Sequence, residues 1–188
     1  MRRFLSFLSV ALLILATQAC STTKAGLSHS SGRSGIDAVG LPAVQDNFAG
    51  VSFGMKYPLV RGKLERKYHG LLMEFGKNVG ISVRFFEFAG YSFNKAIFYT
   101  NGKYGFHKII MVSDFSSNTE RDLMYGHYLN LLKEKYGSRL LNEDNSAYYR
   151  DLNGRSVLLS RKEPYELMLV YCDDTLNDML HKKHLNEI

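Results

Sequence analysis

Two Asn-Gly dipeptides constrain the fold of this chain more than any other feature of its sequence. Asn-Gly between two strand-like runs is the strongest short-range signal for a β-hairpin, because both residues tolerate the positive φ of a type I′ turn. Strands joined in this way are antiparallel, so the sequence predicts a mostly antiparallel sheet. Asn101-Gly102 separates the runs 91–100 and 104–115, and Asn153-Gly154 separates 147–152 from 155–162.

Helix signals lie between the predicted strands. Pro58 is a suitable first residue for a short amphipathic helix that ends at Gly70. Ser117 and Glu120 form a capping box, in which each side chain binds the other's backbone amide, at the start of a helix over 119–136. The sequence therefore predicts the α+β class: a mostly antiparallel sheet with two or three helices packed on it.

A pair of acidic residues follows the last predicted strand, 166–172. Asp173 or Asp174 can cap a terminal helix, because carboxylates are favoured at a helix N-terminus. Paired carboxylates, with Asp178 one turn further on, can also bind a cation or share a proton. In the predicted helix, His181 and His184 have a spacing that metal sites use, but two lysines between them oppose a cation. We expect helix capping at the acidic pair and a solvated chain end at the histidines.

Several predicted strands are apolar on both faces, whereas an antiparallel sheet with one wet face should alternate cleanly. One interpretation is that helices lie on both sides or that the sheet curls on itself. The other is an apolar groove or patch for a ligand, a peptide or another protein. The opposed residues are Val83 and Phe85 against Phe86 and Phe88, Ile109 and Met111 against Ile110 and Val112, and Leu167 and Leu169 against Met168 and Val170.

The N-terminus has the pattern of an export signal. Arg2 and Arg3 precede an apolar run over residues 4–16, which is too short to span a bilayer. The sequence Thr17-Gln18-Ala19-Cys20 follows. It resembles the lipobox of bacterial lipoproteins, although Thr17 stands where an aliphatic residue is usual. The alternative is ordinary signal-peptidase cleavage after Ala19.

The resemblance implies acylation of Cys20 and a membrane anchor through that residue. Ser21, rather than Asp, follows the cysteine, and in lipoproteins of Gram-negative bacteria this implies the outer membrane. The remaining cysteine, Cys172, lies in an apolar run and is expected to be a buried strand residue. We therefore divide the chain into a signal peptide (1–19), a lipid-anchored flexible tether (20–46) and one α+β domain (47–188).

A cluster of cations surrounds the first predicted helix. The formal net charge of the chain is +6, and no nucleic-acid motif accompanies it, so we expect no nucleic acid as partner. The basic helix can meet anionic lipid headgroups or a protein partner, or it can be a solvated face. Its basic residues are Lys56, Arg61, Lys63, Arg66 and Lys67.

Motifs for nucleophilic, zinc-dependent or redox catalysis are absent from the sequence, and no cofactor or metal is expected. The sequence favours a non-enzymatic binding or structural module at the cell envelope, for a protein or apolar partner. The alternatives are an envelope hydrolase that uses scattered acidic residues such as Asp173 and Asp174, and a small carrier of apolar ligands. A carrier requires an enclosed cavity, and a hydrolase requires titratable side chains that converge in a pocket.

Overall fold

The computed structural model describes residues 41–178. The strands in that range are β1 (Asn47–Phe48), β2 (Val51–Ser52), β3 (Leu72–Phe75), β4 (Gly80–Phe88), β5 (Tyr91–Asn101), β6 (Gly105–Asp114), β7 (Leu141–Glu143), β8 (Ser146–Arg150), β9 (Arg155–Lys162) and β10 (Glu166–Asp173). The helices are α1 (Tyr57–Lys67) and α2 (Asn118–Tyr136), followed by a 3-10 turn (Gly137–Arg139). Residues 174–178 are also helical.

Strands β3 to β10 form one sheet in the order β3-β4-β5-β6-β10-β9-β8-β7. Every neighbouring pair in it is antiparallel. Helix α1 precedes the four strands of one half, and α2 precedes the four strands of the other. The two halves meet at β6 and β10 in the centre of the sheet. The α+β class and the mostly antiparallel sheet are confirmed.

The predicted hairpins are present at both Asn-Gly dipeptides. β5 pairs with β6 around the first, and β8 pairs with β9 around the second. The Ser117 hydroxyl accepts the Glu120 amide as predicted, but the Glu120 carboxylate binds Ser116 rather than the Ser117 amide. Strand β7 was not predicted, because three exposed residues carry no periodic signal.

Both helices pack on the same face of the sheet. The register aligns a single row of residues from β3 to β8: Glu74, Ile81, Phe98, Ile109, Tyr171, Val157 and Tyr149. At one end of this row, Glu74 accepts a hydrogen bond from Tyr57 of α1. At the other end, the ring of Tyr149 stacks on Tyr136 of α2, with centroids 4.2 Å apart. We call the face that contains this row the helix-packed face.

The helix-packed face supplies most of the hydrophobic core. Phe98, Ile109, Leu159, Leu167 and Leu169 are all 0% exposed. Successive strand residues point to opposite faces, so the residues between them lie on the other side of the sheet. We call that side the opposite face. Its central members, such as Ile97 and Ile110, are half-buried and are not part of the core cluster.

Strand β4 departs from simple alternation at Phe85. The φ of Phe85 is 55°, in the left-handed region, and this is an outlier for a bulky residue. Beyond this point, Phe86 packs against Tyr68 at the end of α1, at 5.6 Å between ring centroids. Phe93, its partner on β5, contacts Tyr128 of α2 at 5.4 Å. The irregularity therefore turns two phenylalanines towards the helices, whereas the alternation predicted Phe86 on the face opposite Val83.

The last part of the predicted tether contacts the domain. Val44 is 2% exposed, and its amide donates to Asp151 at 2.9 Å. The hydroxyl of Tyr149 donates to the carbonyl of Pro42 at 2.8 Å. Asp46 forms an ion pair with Arg155, also at 2.9 Å. Packing of the chain on the domain therefore extends to residues 42–46, immediately before the first strand.

Candidate binding surface on the opposite face

The opposite face carries an apolar row that crosses the whole sheet. Its two ends, Met73 and Leu141, are each 65% exposed, and its central members are half-buried. Ser82 is the only member that is neither aliphatic nor aromatic. The row runs Met73, Ser82, Ile97, Ile110, Val170, Leu158, Tyr148 and Leu141, with one residue from each of the eight strands.

Cations flank the apolar row on both sides. On one side, Arg84 of β4 lies directly opposite Lys95 of β5, and both side chains are exposed. On the other side, the Lys108 ammonium lies 4.8 Å from the centre of the Tyr99 ring. Arg150, further along that side, is paired with Asp174 at 3.3 Å. The opposite face therefore has an apolar strip with cations on both of its sides.

The Arg84 and Lys95 pair is unfavourable for the isolated domain. Like charges directly opposite each other on a sheet are destabilising, by tenths of a kcal/mol to about 1 kcal/mol. Among residues 41–178, neither side chain forms an ion pair that offsets this repulsion. A partner that supplies a carboxylate between the two cations would remove it.

The dimensions of the face suit a protein interface. Eight strands spaced by about 4.8 Å give a row about 34 Å long. Three neighbouring rows span about 14 Å between their outer centres and about 20 Å with the width of the side chains included, because alternate residues along a strand are about 7 Å apart. The resulting area of about 700 Å² is close to the roughly 800 Å² that each partner contributes to a standard interface.

One corner of the opposite face is already covered. Cys172 and Ser156 lie there and are each 7% exposed, because residues 174–178 begin beside them. The Ser156 hydroxyl donates to the Asp174 carboxylate at 3.0 Å. Burial raises the pKa of the Cys172 thiol to about 12, so it stays protonated at neutral pH. The prediction of a buried strand cysteine is confirmed.

The acidic pair at the end of β10 is engaged in structural contacts. The Asp173 carboxylate accepts the amide of Leu176 at 3.2 Å and the hydroxyl of Thr175 at 2.6 Å, which is a helix N-cap. Asp174 is paired with Arg150. The two carboxylates are thereby committed to a cap and an ion pair, as the capping interpretation expects.

The five basic residues near α1 differ in how they are held. Lys56 donates to the carbonyl of Lys103 at 2.5 Å, and Arg61 is paired with Glu74 at 2.6 Å. The carboxylate pKa of Glu74 is lowered by its hydrogen bonds from Tyr57 and Arg61. The other three cations, which form no ion pair with any residue of the described range, are Lys63, Arg66 and Lys67.

Other predicted sites fall outside the described residues. These are the lipidation site Cys20 and the histidine pair His181 and His184. Within residues 41–178, no group of three or more His, Cys, Asp or Glu side chains could hold a metal ion. Over the same range, no helix combines the length and apolar character needed to cross a bilayer.

Sequence reasoning named two members of the apolar row, Ile110 and Val170, but neither the other six nor the row itself. The signal was the presence of strands that are apolar on both sides. Assembly of the row depends on the register of seven strand pairs, and the charge pair at Arg84 and Lys95 depends on that register as well. Comparisons with known proteins add nothing to this picture, since no protein-family model, curated protein or solved structure matches the chain.

Proposed function

We propose that the protein is a lipid-anchored, non-enzymatic component of the bacterial cell envelope that binds another protein through the opposite face of its sheet. The observation that carries this proposal is the apolar row with its basic margin at Arg84 and Lys95. Folding accounts for the apolar residues of the helix-packed face, but it gives no reason for an apolar strip flanked by opposed like charges.

The chemistry of the face defines the partner. Burial of an apolar strip requires an apolar counterpart, at roughly 25 cal/mol per Å² of apolar surface removed from water. The cations Arg84, Lys95 and Lys108 require acidic residues beside it. The partner is therefore a protein whose binding surface combines an apolar centre with carboxylates at its margin.

A protein fits the face better than a lipid bilayer does. Residues that anchor a protein in a bilayer insert about 5–10 Å into the boundary of the headgroups. The central members of the row are half-buried between their neighbours and do not project in this way. A protein surface can meet them by close packing, as protein interfaces do.

The N-terminal sequence supports a location in the cell envelope. The run after Arg2 and Arg3, followed by Cys20, has the order of a lipoprotein signal. About 20 residues separate Cys20 from the first contacts of the domain, and a flexible segment of that length has an end-to-end distance of about 25 Å. The domain would then search for its partner within a few nanometres of the membrane surface.

Photo-crosslinking in intact cells tests the proposal. A photoreactive residue replaces Met73, which is 65% exposed at one end of the row. Two variants change the face, Lys95→Glu and Leu141→Glu. Two matched controls make the same changes elsewhere, Lys133→Glu on α2 and Leu152→Glu in the β8–β9 turn. Leu141 and Leu152 are 65% and 63% exposed, so the two leucine changes cost the fold equally little.

We expect one protein to be crosslinked, and its yield to fall at least tenfold in both face variants but not in the controls. A tenfold loss corresponds to about 1.4 kcal/mol of binding free energy. Equal yields in all four variants would contradict the proposal. So would a product that contains only a second copy of this chain, or only lipid.

A further inference from the structure

A groove separate from the opposite face lies between α2 and the ends of β5 and β6. Its cavity has a volume of about 590 Å³, within the range of sites for small molecules. An adjoining cavity of about 230 Å³ shares Tyr91, Asp114, Phe115 and Met124 with it. The larger cavity is lined by those four residues with Ser116, Glu120, Leu123 and His127.

The walls of this groove, which we call the Tyr91 groove, are aromatic and aliphatic. The Tyr91 ring lies 4.4 Å from the His127 ring between centroids, and 5.8 Å from that of Tyr128. Leu123 is 71% exposed and contributes little to the core. Helix α2 buries a different stripe, which includes Tyr125 and Tyr128, and this leaves Leu123 exposed at the groove.

The charges that line the groove are all negative. The hydrogen bond from the Ser116 hydroxyl lowers the carboxylate pKa of Glu120, which keeps this residue ionised at neutral pH. Asp114 is exposed and forms no ion pair with any residue between 41 and 178. No lysine or arginine lines either cavity, although the chain as a whole is basic.

His127 contributes a buried nitrogen with no partner. Its Nε2 atom is buried and makes no hydrogen bond in the structure. Its Nδ1 atom lies 3.5 Å from the Tyr91 hydroxyl. Buried polar atoms are nearly always hydrogen-bonded, so each exception calls for an explanation. In the tautomer with hydrogen on Nδ1, the Nε2 lone pair is left without a donor in the structure.

We propose that the Tyr91 groove binds a small organic cation, an ammonium group attached to an aromatic or branched apolar body. The apolar body packs on Phe115, Leu123 and Met124. The ammonium lies near the Asp114 carboxylate and the face of the Tyr91 ring, which attracts cations. A small anion is disfavoured, because both charged side chains that line the groove are carboxylates. This inference is independent of the proposed function, because it uses a different surface.

Binding is tested with three probes that share a phenyl ring and differ in charge: 2-phenylethylamine, 2-phenylethanol and phenylacetate. The purified full-length chain carries ¹³C-labelled methionine methyl groups, and the Met124→Leu variant assigns the Met124 signal. We expect the amine to shift the Met124 signal saturably, with an affinity at least ten times that for the alcohol. The signals of Met73 and Met168, on the opposite face, remain unchanged.

The contribution of the Asp114 carboxylate to amine binding is tested with Asp114→Asn. Its matched control is Asp144→Asn in the β7–β8 turn. We expect Asp114→Asn to abolish the preference for amine over alcohol and Asp144→Asn to retain it. A saturable shift that is as strong with the alcohol or with phenylacetate overturns the inference. So does an unchanged preference in Asp114→Asn, or a shift of the Met73 and Met168 signals alone. None of these results bears on crosslinking at the opposite face.

Discussion

The two faces of the sheet differ in burial and in composition. Phe98 and Ile97 are neighbours in β5, yet Phe98 is fully buried beneath the helices, and Ile97 is half-buried on the side away from them. The helix-packed face is aromatic, apolar and closely packed. The opposite face has an apolar row along its centre, with Val112 and Met168 beside it and cations on both sides. Burial beneath the helices accounts for the apolar residues of one face, whereas the apolar residues at the centre of the other face stay partly exposed.

We expect the largest change in stability from substitution of Phe98, compared with its neighbour Ile97 in β5. Phe98→Ala leaves a cavity in the core, so we expect it to lower the free energy of unfolding by about 3–5 kcal/mol. Ile97→Ala removes side-chain atoms that are already partly in water, and we expect a loss of about 1 kcal/mol. Urea denaturation of both variants measures the difference. Equal losses would mean that the two faces are covered to the same degree.

A second test uses the pH dependence of stability. His107 is 6% exposed, and burial lowers its pKa below the ordinary value of 6.5. The unfolded chain therefore binds a proton at a higher pH than the folded chain does. The contribution of His107 to the free energy of unfolding is fully present above pH 6.5 and is lost as the pH falls below it.

We expect His107→Gln to weaken this pH dependence in urea titrations between about pH 7 and pH 5. His69→Gln is the matched control, because the His69 side chain is 88% exposed. It should leave the slope close to that of the unchanged protein. An identical slope in the His107 variant would show that this buried imidazole does not titrate differently in the folded and unfolded states.

The smallest expected effect has the opposite sign. Lys95→Glu replaces the repulsion with Arg84 by an attraction across the strands, so we expect it to raise the free energy of unfolding by about 0.2–1 kcal/mol. The same substitution is expected to reduce crosslinking to a partner. A variant that is more stable but binds less would separate a binding role from a structural one. Destabilisation would instead indicate that Lys95 supports the fold.

Much of the fold follows from local signals. The Asn-Gly turns, the Ser117 cap and the buried Cys172 depend on short-range chemistry and were predicted from the sequence. The exchange of faces at Phe85 was not, because a positive φ at a bulky residue is imposed by its surroundings and not by its own preferences. The sequence also did not show whether the second apolar face of these strands is covered by helices or left open as a binding surface. The pattern of a helix does not reveal which face of the sheet it will cover.

The α+β class, the hairpins and the apolar character of both strand faces follow from the sequence alone, because they depend on residues close together in the chain. The folded arrangement places α1 and α2 on the same face, aligns one apolar row across eight strands and sets Arg84 opposite Lys95. It also brought Tyr91, Asp114 and His127 to one groove. These arrangements depend on strand order and register, which are fixed by the burial of many distant residues at once.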